Sequence, residues 1–308
     1  MHLSRLLAAS PAACLFITGG AAVDLSAADE PVVSSLQIRL YGYGKVDAIY
    51  ETTDMQGGLP KWVSDSDDDD GNFYMTARQT RLGLALDGPS DDRFTTSGKI
   101  EMDFYGDGID DSNKPRPRLR HAFVQLAMPE QGFTLLAGQT WDLISPEIPS
   151  SIAFGGGWWS GDIGFRRPQI RGSQTLDLDS WKLDLAAAIT GNTGDMGAER
   201  PSIQARATAR FPLMARNATV TLGGQSGVDE NEAESYTLVL GWKVPVADGL
   251  TISGNAWTGQ NMADYLGGVG QNGGDGNEVA AFGAWLQAGY SPDSLPWVFN
   301  AGYGFDDP

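Results

Sequence analysis

Residues 36–50 alternate along their whole length. Leu36, Ile38, Leu40, Gly42, Gly44, Val46, Ala48 and Tyr50 fall on one face, and Gln37, Arg39, Tyr41, Tyr43, Lys45 and Asp47 on the other. Successive side chains of a strand point to opposite faces, so this pattern predicts a β-strand with one apolar and one polar face. At ~3.3 Å per residue it exceeds the common strand of about five or six residues. It is long enough to cross a bilayer, which takes about nine to eleven tilted residues. The period recurs along the chain. In 73–86, Leu82, Leu84 and Leu86 oppose Arg81, Gly83 and Ala85; in 94–105, Ile100, Met102 and Phe104 oppose Lys99, Glu101 and Asp103. Segments 181–190, 203–211 and 236–244 repeat it. Helical periodicity is scarce, and about thirteen strands are expected in all.

The connections alternate in length. Those near 52–72, 106–117, 142–161, 191–200, 227–234 and 259–277 are long and rich in Gly, Asp and Asn. Those near 87–93, 128–132, 178–180, 212–217, 246–249 and 291–296 are short. Long loops at one end and tight turns at the other predict an all-β fold, an antiparallel transmembrane β-barrel with long extracellular loops. A mean hydropathy of −0.23 does not oppose this, because only alternate residues of a barrel strand face lipid. After the N-terminus there is no apolar run long enough for a membrane helix. Bacterial single-chain barrels have even strand numbers, so about thirteen strands suggest a C-terminally incomplete barrel, about three strands short of sixteen.

Residues 1–28 read as a secretory signal peptide: Arg5, an apolar core, then Ser26-Ala27-Ala28 before Asp29. The barrel domain is then 29–308. Removing the leader takes Arg5 and Asp24 together, so the formal charge of −18 is unchanged. It also takes Cys14 and His2, leaving His121 as the one histidine.

The stretch 118–171 stands out. Two strands joined by a tight turn lead into a loop of about twenty residues, and loops of that length are usually functional or disordered. It holds Asp142, Glu147, Trp158 and Trp159 and ends in a strand carrying Arg166, Arg167 and Arg171. The expectation is a pore whose third long loop folds inward. Rings of Arg and Lys favour anions. Parity with the apolar face turns Arg39, Lys45, Arg81, Lys99, Arg206 and Arg210 inward, and Pro168 and Ile170 outward, which turns Arg167 and Arg171 inward. Arg120 shares parity with Ala122 and Val124, so its direction stays open between the barrel rim and a subunit neighbour. Asp142 and Glu147 are expected to form an acidic counter-face across the constriction, with Asp47, Glu101 and Asp103 also inward.

Other chemistries find little support. Nucleophilic catalysis would have to run through His121, which lacks a serine motif, and no zinc-ligand spacing occurs. Asp65–Gly71 (DSDDDDG) is acidic but lacks the spaced bidentate Glu of a calcium loop. No cofactor or metal is expected. The acidic balance argues against nucleic acid. A secreted β-rich binding protein and a membrane-barrel enzyme remain the alternatives; a soluble β fold would not need the asymmetry of the loops, and the enzyme lacks a motif around His121.

The segments LYGYGKVDAIY (40–50), TARQTRLGLAL (76–86), SGKIEMDFYG (97–106), PRLRHAFVQL (117–126), LLAGQTWDLISP (135–146) and GDIGFRRPQIR (161–171) resemble the DcaP-like outer-membrane porins. The resemblance is densest over 36–171 and thins toward AGYGFDDP at the end. It implies a sixteen-stranded barrel, a homotrimer, an inward third loop, and passage of small anionic solutes such as dicarboxylates. Two features depart from the family: there is no room for an N-terminal periplasmic coiled coil before the first strand, and the closing strands with their terminal aromatic are absent. The function expected is passive diffusion of small hydrophilic anions across the bacterial outer membrane, in contact with lipid and lipopolysaccharide.

Overall fold

The structure is a computed structural model that describes residues 36–52, 71–106, 115–152, 157–191, 200–229, 231–271 and 278–308. The leader at 1–28 and the acidic run at 65–70 lie outside the described residues. The strands are β1 (Gln37–Tyr43), β2 (Asp47–Glu51), β3 (Asn72–Thr76), β4 (Arg81–Ser90), β5 (Thr95–Asp103), β6 (Arg118–Met128), β7 (Phe133–Trp141) and β8 (Arg166–Leu178). There follow β9 (Trp181–Thr190), β10 (Ser202–Leu213), β11 (Arg216–Val228), β12 (Glu234–Ala247), β13 (Leu250–Gln260), β14 (Ala280–Tyr290) and β15 (Phe299–Asp307).

Thirteen of these form one sheet in the order β1-β4-β5-β6-β7-β8-β9-β10-β11-β12-β13-β14-β15, and β2 pairs with β3. Every pairing between neighbours is antiparallel. Such an up-and-down order follows when each strand is joined to the next by a hairpin. Among the described residues β1 and β15 are the two ends of the sheet and are not paired with each other.

Burial is inverted relative to a water-soluble sandwich. Along β12, Ser235, Thr237 and Val239 are each 1% exposed, whereas Tyr236, Leu238 and Leu240 are 49, 61 and 45% exposed. Leu40, Ile100, Val124, Ile170, Ile203, Leu222 and Phe282 continue the same exposed apolar face on other strands. A contiguous apolar exterior of this extent marks a surface that meets lipid or another protein. Tyr50 and Phe73 pair across the β2–β3 hairpin, and both are exposed. At the opposite end Trp181 and Phe211 stack 5.7 Å apart beside tight turns. Aromatic rings at both ends of an apolar band are the arrangement expected at the two membrane interfaces.

Two long strands expected from the alternation are broken. The run 36–50 stops at Gly44–Val46, and 73–86 stops at Ala77–Thr80. There Thr80 replaces the ladder: its Oγ1 accepts from Lys45 N at 3.1 Å and donates to Lys45 O at 3.3 Å. The break lets Arg78 turn inward, with its guanidinium carbon 5.7 Å from the centre of the Tyr105 ring.

Candidate pore lining and constriction

Between β7 and β8, the described residues 142–152 and 157–165 enter the lumen and reach its far wall. The two stems of this loop are tied by Asp142, whose N–H donates to Phe165 O at 3.0 Å and whose Oδ2 accepts from Phe165 N at 3.0 Å. Inside the sheet the loop's backbone has no ladder to join, and buried backbone groups require partners. Inward polar side chains on the far wall supply them. Leu143 N donates to Gln204 Oε1 at 2.7 Å, Asn255 Nδ2 donates to Glu147 O at 2.9 Å, and Trp257 Nε1 donates to Gly161 O at 3.0 Å. Gln287 meets Ser150 twice, accepting from its N–H and donating to its carbonyl, each at 3.0 Å. These partners lie on β10, β13 and β14. Lys45 reaches Ile152 O from the β1 side.

Apolar packing fixes the same position. Ile144 and Ile163 are fully buried among Val239, Trp257, Met262, Tyr265 and Ala281. Close backbone contact then requires glycine: a Cβ at Gly304 would lie 1.9 Å from Ser160 O, and one at Gly161 (φ +95°) would lie 2.0 Å from Ala284 O. Trp158 packs with Tyr105, Trp141 and Phe165, and Trp159 borders that cluster.

A second group of charges lines β4–β6, and the constriction loop touches its edge where Trp158 packs on Tyr105 and Phe165 lies 6.0 Å from the Arg118 guanidinium. Glu101 and Asp103 are buried at its centre. Arg120 donates to Glu101 Oε1 at 2.8 Å and to Asp103 Oδ2 at 2.9 Å, and Arg118 grips Asp103 through two bonds of 2.9 and 2.6 Å. Lys99 lies 3.1 Å and Arg81 3.5 Å from Glu101, and Tyr41 donates to it at 2.8 Å. Four cations thus face two acids, and the half-buried side chains of Arg81, Lys99 and Arg118 remain partly open to the lumen. Arg166 is sandwiched instead, 4.4 Å over Phe165 and 4.7 Å over Trp141.

Arg120 is neither a rim residue nor on the outer face. The register steps from Glu101↔His121 to Met102↔Leu119, leaving Arg120 as the extra residue of a bulge. A bulge sets two residues opposite one and re-aims a side chain, so simple parity fails here. The expected acidic counter-face also changes. Asp142 is 1% exposed at the loop's root, with Oδ2 3.4 Å from Arg167 Nε. Arg167 points inward but is fully buried beneath the loop. Burial raises the Asp142 carboxyl pKa above the ordinary carboxylate value, while Arg167 holds it down in part. Glu147 is half-buried and accepts from Thr219 Oγ1 at 3.3 Å; burial raises it too, against Lys243, Thr219 and Arg206.

The remaining basic residues spread along the wall. Arg171 donates to Gln169 Oε1 at 2.8 Å and to Trp141 O. Arg206 is half-buried on β10, Arg210 pairs with Asp184, and exposed Arg39 lies 3.4 Å from Asp87 on the edge strand. Lys45 lies 2.9 Å from Asp47. Sequence reasoning missed Gln204, Asn255 and Gln287, whose only signal is a polar residue at an inward position. The connection 259–277 reads from the sequence only as a long loop, with no signal that its residues 261–271 turn into the lumen.

An apolar exterior, a charged interior and a loop folded across it are the features of a transmembrane β-barrel with the porin fold. The chain matches no protein-family model, and no curated protein matches it in sequence. Solved structures do match in fold. The outer membrane channel DcaP of Acinetobacter baumannii superimposes with a TM-score of 0.66 at 21% identity, covering 88% of this chain and 79% of that one. The anion-selective porin from Comamonas acidovorans does so with a TM-score of 0.59 at 14% identity, again covering 88% and 79%. The likeness to DcaP agrees with the sequence resemblance.

Proposed function

We propose that the protein is an outer-membrane porin through which small hydrophilic anions, dicarboxylates among them, diffuse passively. The observation that carries this reading is the charged cluster on β4–β6, where Arg81, Lys99, Arg118 and Arg120 outnumber Glu101 and Asp103. An excess of positive charge at a narrow point raises the local concentration of anions. The fold shared with an anion-selective porin supports the same sign.

The formal charge of −18 does not oppose it, since charges more than a Debye length of about 8 Å from the constriction are screened at physiological salt. An enzymatic role draws no support from His121. Its Nδ1 lies 3.0 Å from Thr140 Oγ1, but Glu101 beside it is taken up by Arg120, Tyr41 and Lys99. A secreted binding protein would not carry the exposed apolar band.

Residues 1–28 act as the cleaved leader in this reading, and 29–308 belong to the barrel. The assembled form is a homotrimer, seated in lipid and lipopolysaccharide; a native complex with a monomer's mass would count against that. Liposome swelling tests the function. Proteoliposomes should admit a small dicarboxylate faster than a neutral sugar of equal size, and a diamine slowest. Equal rates for all three would leave a pore without anion preference.

A further inference from the structure

Residues 261–271, which follow β13, also enter the lumen and lie against the constriction loop. We propose that this second loop is a strap that fixes the constriction loop in place, with Tyr265 as the positioning residue, and so sets the width and steadiness of the pore. The proposal rests on the porin reading for its consequence, though not for its geometry.

The strap is anchored at its base. Asn261 Nδ2 donates to Glu234 O at 2.9 Å, and its Oδ1 accepts from Val279 N at 3.0 Å. From there the chain makes tight turns with Asn261, Leu266 and Val269 at φ of 52, 59 and 49°. The left-handed region is uncommon for side-chain-bearing residues and a genuine outlier for a β-branched one. Such a conformation persists where the surroundings over-determine it.

The surroundings here are the constriction loop. Tyr265 O accepts from Gly164 N at 2.7 Å, and Leu266 O accepts from Trp159 N at 3.3 Å. The Tyr265 ring, 2% exposed, lies 3.9 Å from the Arg167 guanidinium carbon, and its hydroxyl donates to Gln225 Oε1 at 3.3 Å. Arg167 Nη2 donates to Asp264 O at 3.0 Å, while its Nε faces Asp142. One guanidinium therefore joins the root of the constriction loop to the strap. The fit is close: a Cβ at Gly267 would stand 3.0 Å from both Ile163 and Trp257.

A loop in a water-filled lumen loses conformational entropy when it is held still. Without a second surface above it, the constriction loop would fluctuate, and the ionic current would report the fluctuation as noise. Tyr265 supplies that surface by stacking on a cation, an interaction strengthened by desolvation.

The test combines single-channel recording with amide hydrogen exchange on the whole protein. The variants are Tyr265→Phe, Tyr265→Ala and Tyr265→Leu, each checked for folding by heat-modifiable gel mobility. Phe keeps the ring and should match the wild type in both measurements. Ala and Leu should raise open-channel noise several-fold and speed exchange at the amides of 157–164 by tenfold or more. If Ala does not fold, Leu, which keeps bulk without a π face, decides. Wild-type noise and wild-type exchange in the Leu variant would overturn the proposal. A wild type without channels, but with faster exchange in the Leu variant, would sink the porin reading and leave the strap standing.

Discussion

Arg120 and His121 are consecutive in β6, yet both side chains enter the lumen opposite Glu101: Arg120 Nε is 2.8 Å from Glu101 Oε1, and His121 Nε2 is 3.7 Å from the same oxygen. In a regular strand one of them would face lipid. The bulge at this step gathers Arg118, Arg120 and His121 on one face. Arg120 thereby holds two buried carboxylates at once. Removing one partner from a buried ion pair leaves an uncompensated charge and costs about 3–5 kcal/mol. Arg120→Ala should therefore destabilise the barrel by about 3 kcal/mol, the lower end of that range because Arg118 and Lys99 remain. Urea unfolding followed by tryptophan fluorescence measures this; unchanged stability would show that the network carries no net stabilisation.

The seat of the constriction loop depends on glycine. Gly304→Val places a side chain where Ser160 O now lies. The loop should lift from β15, and single-channel conductance should rise, with little change in the number of channels formed. A conductance equal to wild type would mean that the loop does not limit the current.

Asp162 is 1% exposed, and its Oδ1 has no hydrogen-bond partner among the described residues. Burial pushes its carboxyl well above the ordinary carboxylate value, and the nearby Asp142 charge adds to that. Because the folded pKa is raised, its favourable contribution is fully present below the unfolded value of about 4 and is lost as pH rises through the folded one. The loop should be most firmly held in acid. Asp162→Asn mimics the protonated form and should raise thermal stability at neutral pH by roughly 1 kcal/mol, or about 2–4 °C. A melting point that falls, or a pH dependence equal to wild type, would refute this.

Leu240 lies near the middle of β12 on the exposed face. Leu240→Arg should cost about 2–4 kcal/mol, the range found for cationic residues at the bilayer midplane. Folding yield into vesicles measures it. A variant that folds as well as wild type would place this face away from lipid.

How much of this was legible in the sequence follows from the range of each interaction. The strands were legible because every second residue along them is apolar, as in Tyr236, Leu238 and Leu240. The breaks near Lys45 and Thr80 were not, because a hydroxyl satisfying a backbone group leaves the alternation untouched. The bulge at Arg120 shifts parity by one without any composition signal. The inward loop showed itself by length. Its seat on Gln204, Asn255 and Gln287 did not, since those residues lie on strands far along the chain. Asp142 and Arg167 read as lumen charges, but the loop and the Tyr265 strap bury them together. That is a tertiary outcome with no local trace.

The reversal potential of the wild-type channel in a planar bilayer under a KCl gradient tests the basic constriction most directly. Its sign should mark anion preference, and its size should fall in Arg81→Ala and Lys99→Ala. The preference should also weaken between 0.1 and 1 M salt, as the Debye length falls from about 10 to 3 Å. A cation-preferring channel, or an anion preference that ignores both substitutions, would contradict the basic constriction.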